Sequence, residues 1–194
     1  MGKVITISRQ YGSGGRELGG KLAEKLGVPL YDKELLNLIA KKENIEVSLL
    51  ESFDETEPDL DNYTVRNVMP DYQISMAKKV FEAYSRTILA LGEKEDCVIV
   101  GRCADVILPD SVRIFVYADM DHRLARIRNI EQLSENEARK RILKMDKRRR
   151  DYRKFYCDQD WGILSDYDLC LNTGKAGVDG AVEAALAYIN HIFI

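Results

Sequence analysis

The stretch "VITISRQYGSGGRELGGKLAEKLG", residues 4–27, decides how the rest of the chain is read. Val4 to Ile7 is a β-rich run. Leu18, Leu22, Ala23 and Leu26 then recur at helical spacing, and Gly27 closes that helix. Between them lies the glycine loop at residues 8–16. A loop joining the carboxyl end of a strand to the start of a helix meets free backbone N–H groups and the positive end of the helix dipole. Gly12, Gly14 and Gly15 allow unusual dihedrals and the close approach of a phosphate, and Ser13 offers a hydroxyl donor. The loop is suited to a phosphate. A tight turn with no ligand is the competing reading, and the three glycines, the serine and the two arginines, Arg9 and Arg16, weigh against it.

Two motifs compete for the loop. A dinucleotide GxGxxG would start at Gly12 and Gly14, but its third glycine falls on Glu17; Asp32 lies near the spacing of the acid that motif needs, so this alternative stays open. A Walker pattern GxxxxGK[ST] would run from Arg9 to Arg16. There Gly15 takes the lysine position and Arg16 the Ser/Thr position. Arg16 is expected to supply the positive charge that lysine brings elsewhere, with help from Arg9. Without the Ser/Thr hydroxyl, no protein-held metal site is expected, and Mg²⁺ would arrive on the phosphates of the nucleotide.

The rest of the chain reads as alternating strands and helices. "VPLYD" (28–32) is a second strand, and 33–42 is helical. Residues 51–71 are acidic, hold two prolines, and read as loop with short helical turns. An amphipathic helix covers 72–93. "CVIVG" (97–101) and "VRIFVYA" (112–118) are apolar runs typical of buried parallel strands. Asp119 is placed to cap the next helix. Ser134 with Glu137 three residues on forms a capping-box pattern. Residues 167–172 give a fifth strand and 180–192 a closing helix, whose apolar tail "LAYINHIFI" is expected to return to the core. Five strands alternating with helices predict a parallel sheet covered on both faces, which binds ligands beyond the carboxyl ends of its strands.

The 194 residues suit one domain, 45 % of them are apolar, and the net charge is only −3. That balance points to neither membrane nor nucleic acid. Cys97, Cys103, Cys157 and Cys170 form no CxxC pair, and His122 and His191 have no metal-ligand spacing, so reduced thiols and no zinc site are expected. With neither an apolar leader nor a spanning run, a cytoplasmic protein is expected.

Charge is local. Arg102 follows a buried strand at the ligand end. Arg123 and Arg126 share a helix face. Residues 139–154 are densely basic, and a solvated face or a nucleic-acid patch are the competing readings there. Few aromatics lie in that run, which disfavours nucleic acid. Arginines stay charged and bind two oxygens at once, so arginine clusters downstream of a phosphate loop suit the charge neutralisation of phosphoryl transfer.

The segments "ITISRQYGSGGRELG", "YDKELL", "VIVGRCADVIL", "RIFVYADMDHRLARI", "KMDKRRRDY" and "YDLCLNTG" together resemble the cytidylate-kinase-like family of P-loop nucleoside monophosphate kinases. The resemblance implies a three-layer α/β fold with a five-stranded parallel sheet, an acceptor-binding insertion over residues 41–95 and a lid over 129–161, all in one domain, 1–194. It implies ATP as donor and a nucleoside monophosphate such as CMP as acceptor; the apolar tail leaves a monomer or homodimer as the expectation. Arg9, Gly12, Ser13, Gly14, Gly15 and Arg16 would cradle the donor. Arg16, Arg123, Arg126 and Arg149 would neutralise charge in the transition state. Asp32, Arg102, Asp146 and Arg149 would bind the acceptor, with Asp32 as candidate general base. A nucleotide sensor that lost catalysis is the alternative. The chain departs from the family pattern at three places: "GSGGR" stands for "GSGKS", "GRC" for "GRD", and the serine near Lys33 that contacts the acceptor in the family is missing.

Overall fold

The computed structural model describes residues 2–43, 45–53 and 70–193. Five strands, β1 (Val4–Arg9), β2 (Leu30–Tyr31), β3 (Cys97–Val100), β4 (Val112–Tyr117) and β5 (Leu169–Asn172), form one sheet in the order β2-β3-β1-β4-β5. All four pairings are parallel, with Ile7 opposite Val100 on one side and Ile114 on the other. The helices are α1 (Gly15–Leu26), α2 (Glu34–Glu43), α3 (Val47–Phe53), α4 (Pro70–Lys94), α5 (Ala104–Ile107), α6 (Met120–Glu131), α7 (Glu135–Cys157) and α8 (Thr173–Ile192).

Side chains alternate across a strand, so each strand feeds two cores. On one face Ile5, Ile7, Val98, Val100 and Ile114 meet Leu18 and Leu22 of α1 and Val182, Ala185 and Ile189 of α8. On the other face Val4, Cys97 and Ile99 meet Leu35 and Ile39 of α2, Leu50 of α3, and Tyr84 and Ile88 of α4. Each buried leucine or isoleucine contributes about 1.5–3 kcal/mol of transfer free energy. A third cluster joins α6 to α7 through Leu124, Ile127, Ala138 and Ile142, with Tyr11 against it. The expected three layers are present.

Several boundaries shift. Val47–Phe53 is helical, whereas the acidic loop expected at 51–71 lies mostly outside the described residues. The closing helix begins at Thr173, not 180: the Asn172 side chain caps it by accepting the Gly174 N–H at 2.9 Å, and Gly177 breaks it with φ 69°. Asp119 precedes α6, but its side chain makes no capping bond; its backbone carbonyl accepts the Arg123 N–H instead. The Ser134–Glu137 capping box forms as read. The apolar tail returns to the core through Ile189 and Phe193, with Ile192 half exposed. No helix among the described residues is long and apolar enough to cross a membrane.

The strand order puts the site in place. From β1 the chain moves to β2 on one side, and from β3 it crosses back over β1 to β4. The connections after β1 and β3 therefore leave the sheet in opposite directions, and a crevice opens at their carboxyl ends.

Candidate functional site

The glycine loop fills that crevice. Gly12 and Gly14 adopt φ of 80° and 78°, and Gly14 is the residue before the first turn of α1. A side chain at Gly14 would also press on Val178 at 2.8 Å. Gly15 does not take a positive φ; it is the first residue of the helix. The first-turn amides of α1 have no carbonyl partner within the helix, so they are free to donate to an anion. This loop fits the phosphates of a nucleotide.

An open cavity of about 660 Å³ lies over the loop. Six cations line it, Arg9, Arg16, Lys33, Arg102, Arg126 and Arg149, against three carboxylates, Glu17, Asp32 and Glu131. Such a surplus raises the local concentration of polyanions. A smaller recess adjoins it, sharing Arg9, Arg102 and Arg149 and adding Ser8, Cys103, Tyr152, Arg153 and Trp161.

Asp32, at the end of β2, joins the two sides. Its Oδ2 accepts from Arg16 Nε at 2.6 Å, and its Oδ1 lies 3.5 Å from Arg102 Nη1. Arg16 is 58 % exposed and Arg102 only 2 %, so one guanidinium is free to turn toward a ligand and the other is fixed. Arg102 also donates to the Val100 carbonyl and lies over the Tyr84 ring. Gly101, Arg102 and Cys103 all take positive φ. For the two that are not glycine this costs roughly 1–3 kcal/mol each, strain of the kind concentrated at functional sites. For Asp32 to act as a general base, Arg16 must first release it.

Arg126 pairs with Glu17 at 2.5 Å, and that hydrogen bond, ahead of the opposing effect of burial, holds the Glu17 carboxyl below its ordinary value. Arg149 donates to the Arg9 carbonyl at 3.0 Å and lies 5.6 Å from the Tyr11 ring centre. Tyr11 is held by a hydrogen bond to Glu131.

Three residues from the sequence reading face elsewhere. Ser13 is buried, and its hydroxyl donates to the Gln10 carbonyl at 2.8 Å, so it shapes the loop and does not face the cavity. Asp146 accepts the Tyr11 N–H at 2.7 Å through one oxygen and Arg123 at 2.5 Å through the other. Arg123 in turn donates to the Tyr11 carbonyl. This buried pair clamps the loop from behind, so in this structure Asp146 and Arg123 position the loop and do not line the ligand space. Lys33, Gln10, Tyr11 and Trp161 line the recesses and were not picked out from the sequence. Lys33 directly follows Asp32, and its position at a strand end was the available signal.

The position of the missing Ser/Thr is occupied by Arg16, and no group of three His, Cys, Asp or Glu side chains able to hold a metal occurs among the described residues. The hydroxyl that a Ser/Thr would offer to a phosphate-bound Mg²⁺ is therefore missing at this position.

A model of the cytidylate kinase-like family matches residues 4–175. The chain belongs to that family. The cytidylate kinase of Pyrococcus horikoshii is 28 % identical over 194 residues, covering 97 % of this chain and 89 % of its own. Among solved structures, an uncharacterized protein from Eubacterium ventriosum shares 33 % identity and a TM-score of 0.73, over 96 % of this chain and 98 % of that one. A shikimate kinase from Bacteroides thetaiotaomicron, 14 % identical, aligns over 96 % of this chain and 98 % of its own with a TM-score of 0.57. At that identity the likeness is one of fold.

Proposed function

We propose that this protein transfers the terminal phosphoryl group of ATP to a small acceptor, a nucleoside monophosphate such as CMP being the favoured one. One observation carries the reading: the phosphate loop and the Asp32–Arg102 pair open into the same cation-lined cavity, so donor and acceptor can meet in it. Family membership and the cytidylate kinase relatives support it. The α1 amides and Arg16 bind the donor phosphates. Arg126 and Arg149 face the transferring group from the lid side, Arg126 after leaving Glu17. Arg102 orients the acceptor, with Lys33 beside it. An acceptor oxygen attacks the terminal phosphorus while the bond to the bridging oxygen breaks and ADP leaves. Positioning and charge neutralisation do most of the work in such a reaction. Mg²⁺, when present, comes on the nucleotide and supplies further neutralisation.

The test is a coupled assay for ADP with ATP, Mg²⁺ and a panel of CMP, dCMP, UMP, AMP, GMP and small sugars and acids, with thermal stability read in the same wells. Turnover with a monophosphate is expected. Stabilisation by ATP with no turnover on any acceptor would favour the second reading, a nucleotide sensor, which the glycine at the lysine position favours. Neither effect would sink both.

A further inference from the structure

One face of α7 touches the strand ends along its length. Asp146 takes the Tyr11 amide, Arg149 the Arg9 carbonyl, and Arg153 pairs with Asp105. Spacings of three and four residues keep these on a single stripe. Cys157, four residues beyond Arg153, closes the stripe, and there it meets Cys103, which directly follows Arg102. The two thiols lie close enough to shift each other's titration, and both lie in the field of Arg153 and Asp105; Cys103 and Arg153 line one recess. Cys103 is buried; Cys157 is half-buried at the last turn of the helix, open to a small solute. Neither sulfur has a part in the phosphoryl transfer described above.

We propose that Cys103 and Cys157 form a reversible disulfide when a peroxide-class oxidant reaches Cys157, stapling the end of α7 to the turn that holds Arg102. The chemistry balances. The Cys157 sulfur attacks one peroxide oxygen, the O–O bond breaks, and the departing hydroxide is protonated to water, leaving a sulfenic acid. The Cys103 sulfur then attacks that sulfur, the S–O bond breaks, and hydroxide leaves with the Cys103 proton as a second water. Two thiols are oxidised and one peroxide is reduced. The environment assigns the roles. Interaction with Cys103, with Arg153 adding to it and burial opposing, holds the Cys157 thiol below its ordinary value. The same interaction and deep burial push Cys103 well up. Thiolate character and access both favour Cys157 as the attacking group. Burial pushes the other two thiols up, Cys97 to about 12, so they compete poorly.

The staple joins the lid-side helix to the acceptor-side turn, and its effect on activity rests on the phosphotransferase reading; the cross-link itself does not. The full-length reduced protein is treated with hydrogen peroxide, alkylated and analysed by intact mass and peptide mapping without reductant. Loss of two hydrogens, a peptide joining Cys103 to Cys157, and reversal by dithiothreitol are expected, with no internal bond in C157S or C157A. In the ADP assay, oxidation should lower turnover about tenfold, the usual scale of coupling between sites, and leave C157S unchanged. Disulfide-linked dimers, or sulfinic acid at Cys157 without the cross-link, would overturn the site. A cross-link with full activity would overturn the switch. An absence of turnover in the reduced protein bears on the phosphotransferase reading alone, since mass decides the cross-link.

Discussion

Arg16 keeps Nε on Asp32, which leaves its terminal nitrogens for a phosphate. A hydrogen bond to a charged group is worth about 1.5–3 kcal/mol, so R16A should weaken ATP binding roughly tenfold or more by calorimetry. R16K should restore part of the loss, because lysine returns the charge without the fork. An unchanged affinity in R16A would remove Arg16 from the donor site. Gly14 is more sensitive. Gly14→Ala places a Cβ at φ 78° and 2.8 Å from Val178, and a left-handed alanine alone costs roughly 1–2 kcal/mol; thermal unfolding should register at least that loss. Glu17 gives a pH signature. Its carboxyl is depressed by Arg126, so the stabilisation from the pair is complete above the ordinary glutamate value and lost as pH falls through the depressed one. An NMR titration of Glu17 should show a midpoint below the ordinary value in the wild type and a return toward it in R126A; identical midpoints would mean the pair is not formed in solution. At this scale the sequence told which residues stand at strand ends, because a buried apolar run followed by Gly-Arg or an acid has one geometry. It did not tell that Ser13 and Asp146 turn toward backbone groups. For Asp146 the partner, Tyr11, lies 135 residues away in sequence, and for Ser13 the Gln10 carbonyl comes within reach only once the loop has folded.

Elements were read best where the pattern was strong. The Ser134–Glu137 box was legible because its two partners are local, and it starts a 23-residue helix that carries the whole basic run. Ser134→Ala should cost about 0.5–2 kcal/mol in denaturant unfolding, and a loss near zero would mean the cap is idle in solution. The sequence pattern starts α8 only at residue 180 because Gly174 and Gly177 look like loop; the Asn172 cap starts the helix at Thr173, and Gly177 then interrupts it with a kink. The end of α7 is held to α4 by rings that sequence periodicity cannot pair: Phe81 stacks on Tyr156 at 4.6 Å and meets Tyr152 edge-on at 6.0 Å.

For the whole molecule, alternating strands and helices predicted a parallel sheet, but not its order, since propensity carries no information about which strand lies beside which. The order β2-β3-β1-β4-β5 is fixed by packing: β1, β3 and β4 are buried on both faces and occupy the centre. Ile114, wholly buried on β4, is a fair probe of that centre. Ile114→Ala should cost about 2–5 kcal/mol in urea unfolding, and a loss under 1 would argue against a sheet closed on both sides.

α7 touches the glycine loop through Asp146 and α5, just past Arg102, through Arg153. A ligand that changes how α7 sits on one of them changes what the other ligand finds. Linkage then makes the effect reciprocal: under the proposed function, whatever factor ATP imposes on acceptor affinity, the acceptor imposes on ATP. Four dissociation constants around that closed cycle should multiply to the same product by either path, and the factor they share is the coupling between the two ends of the cavity.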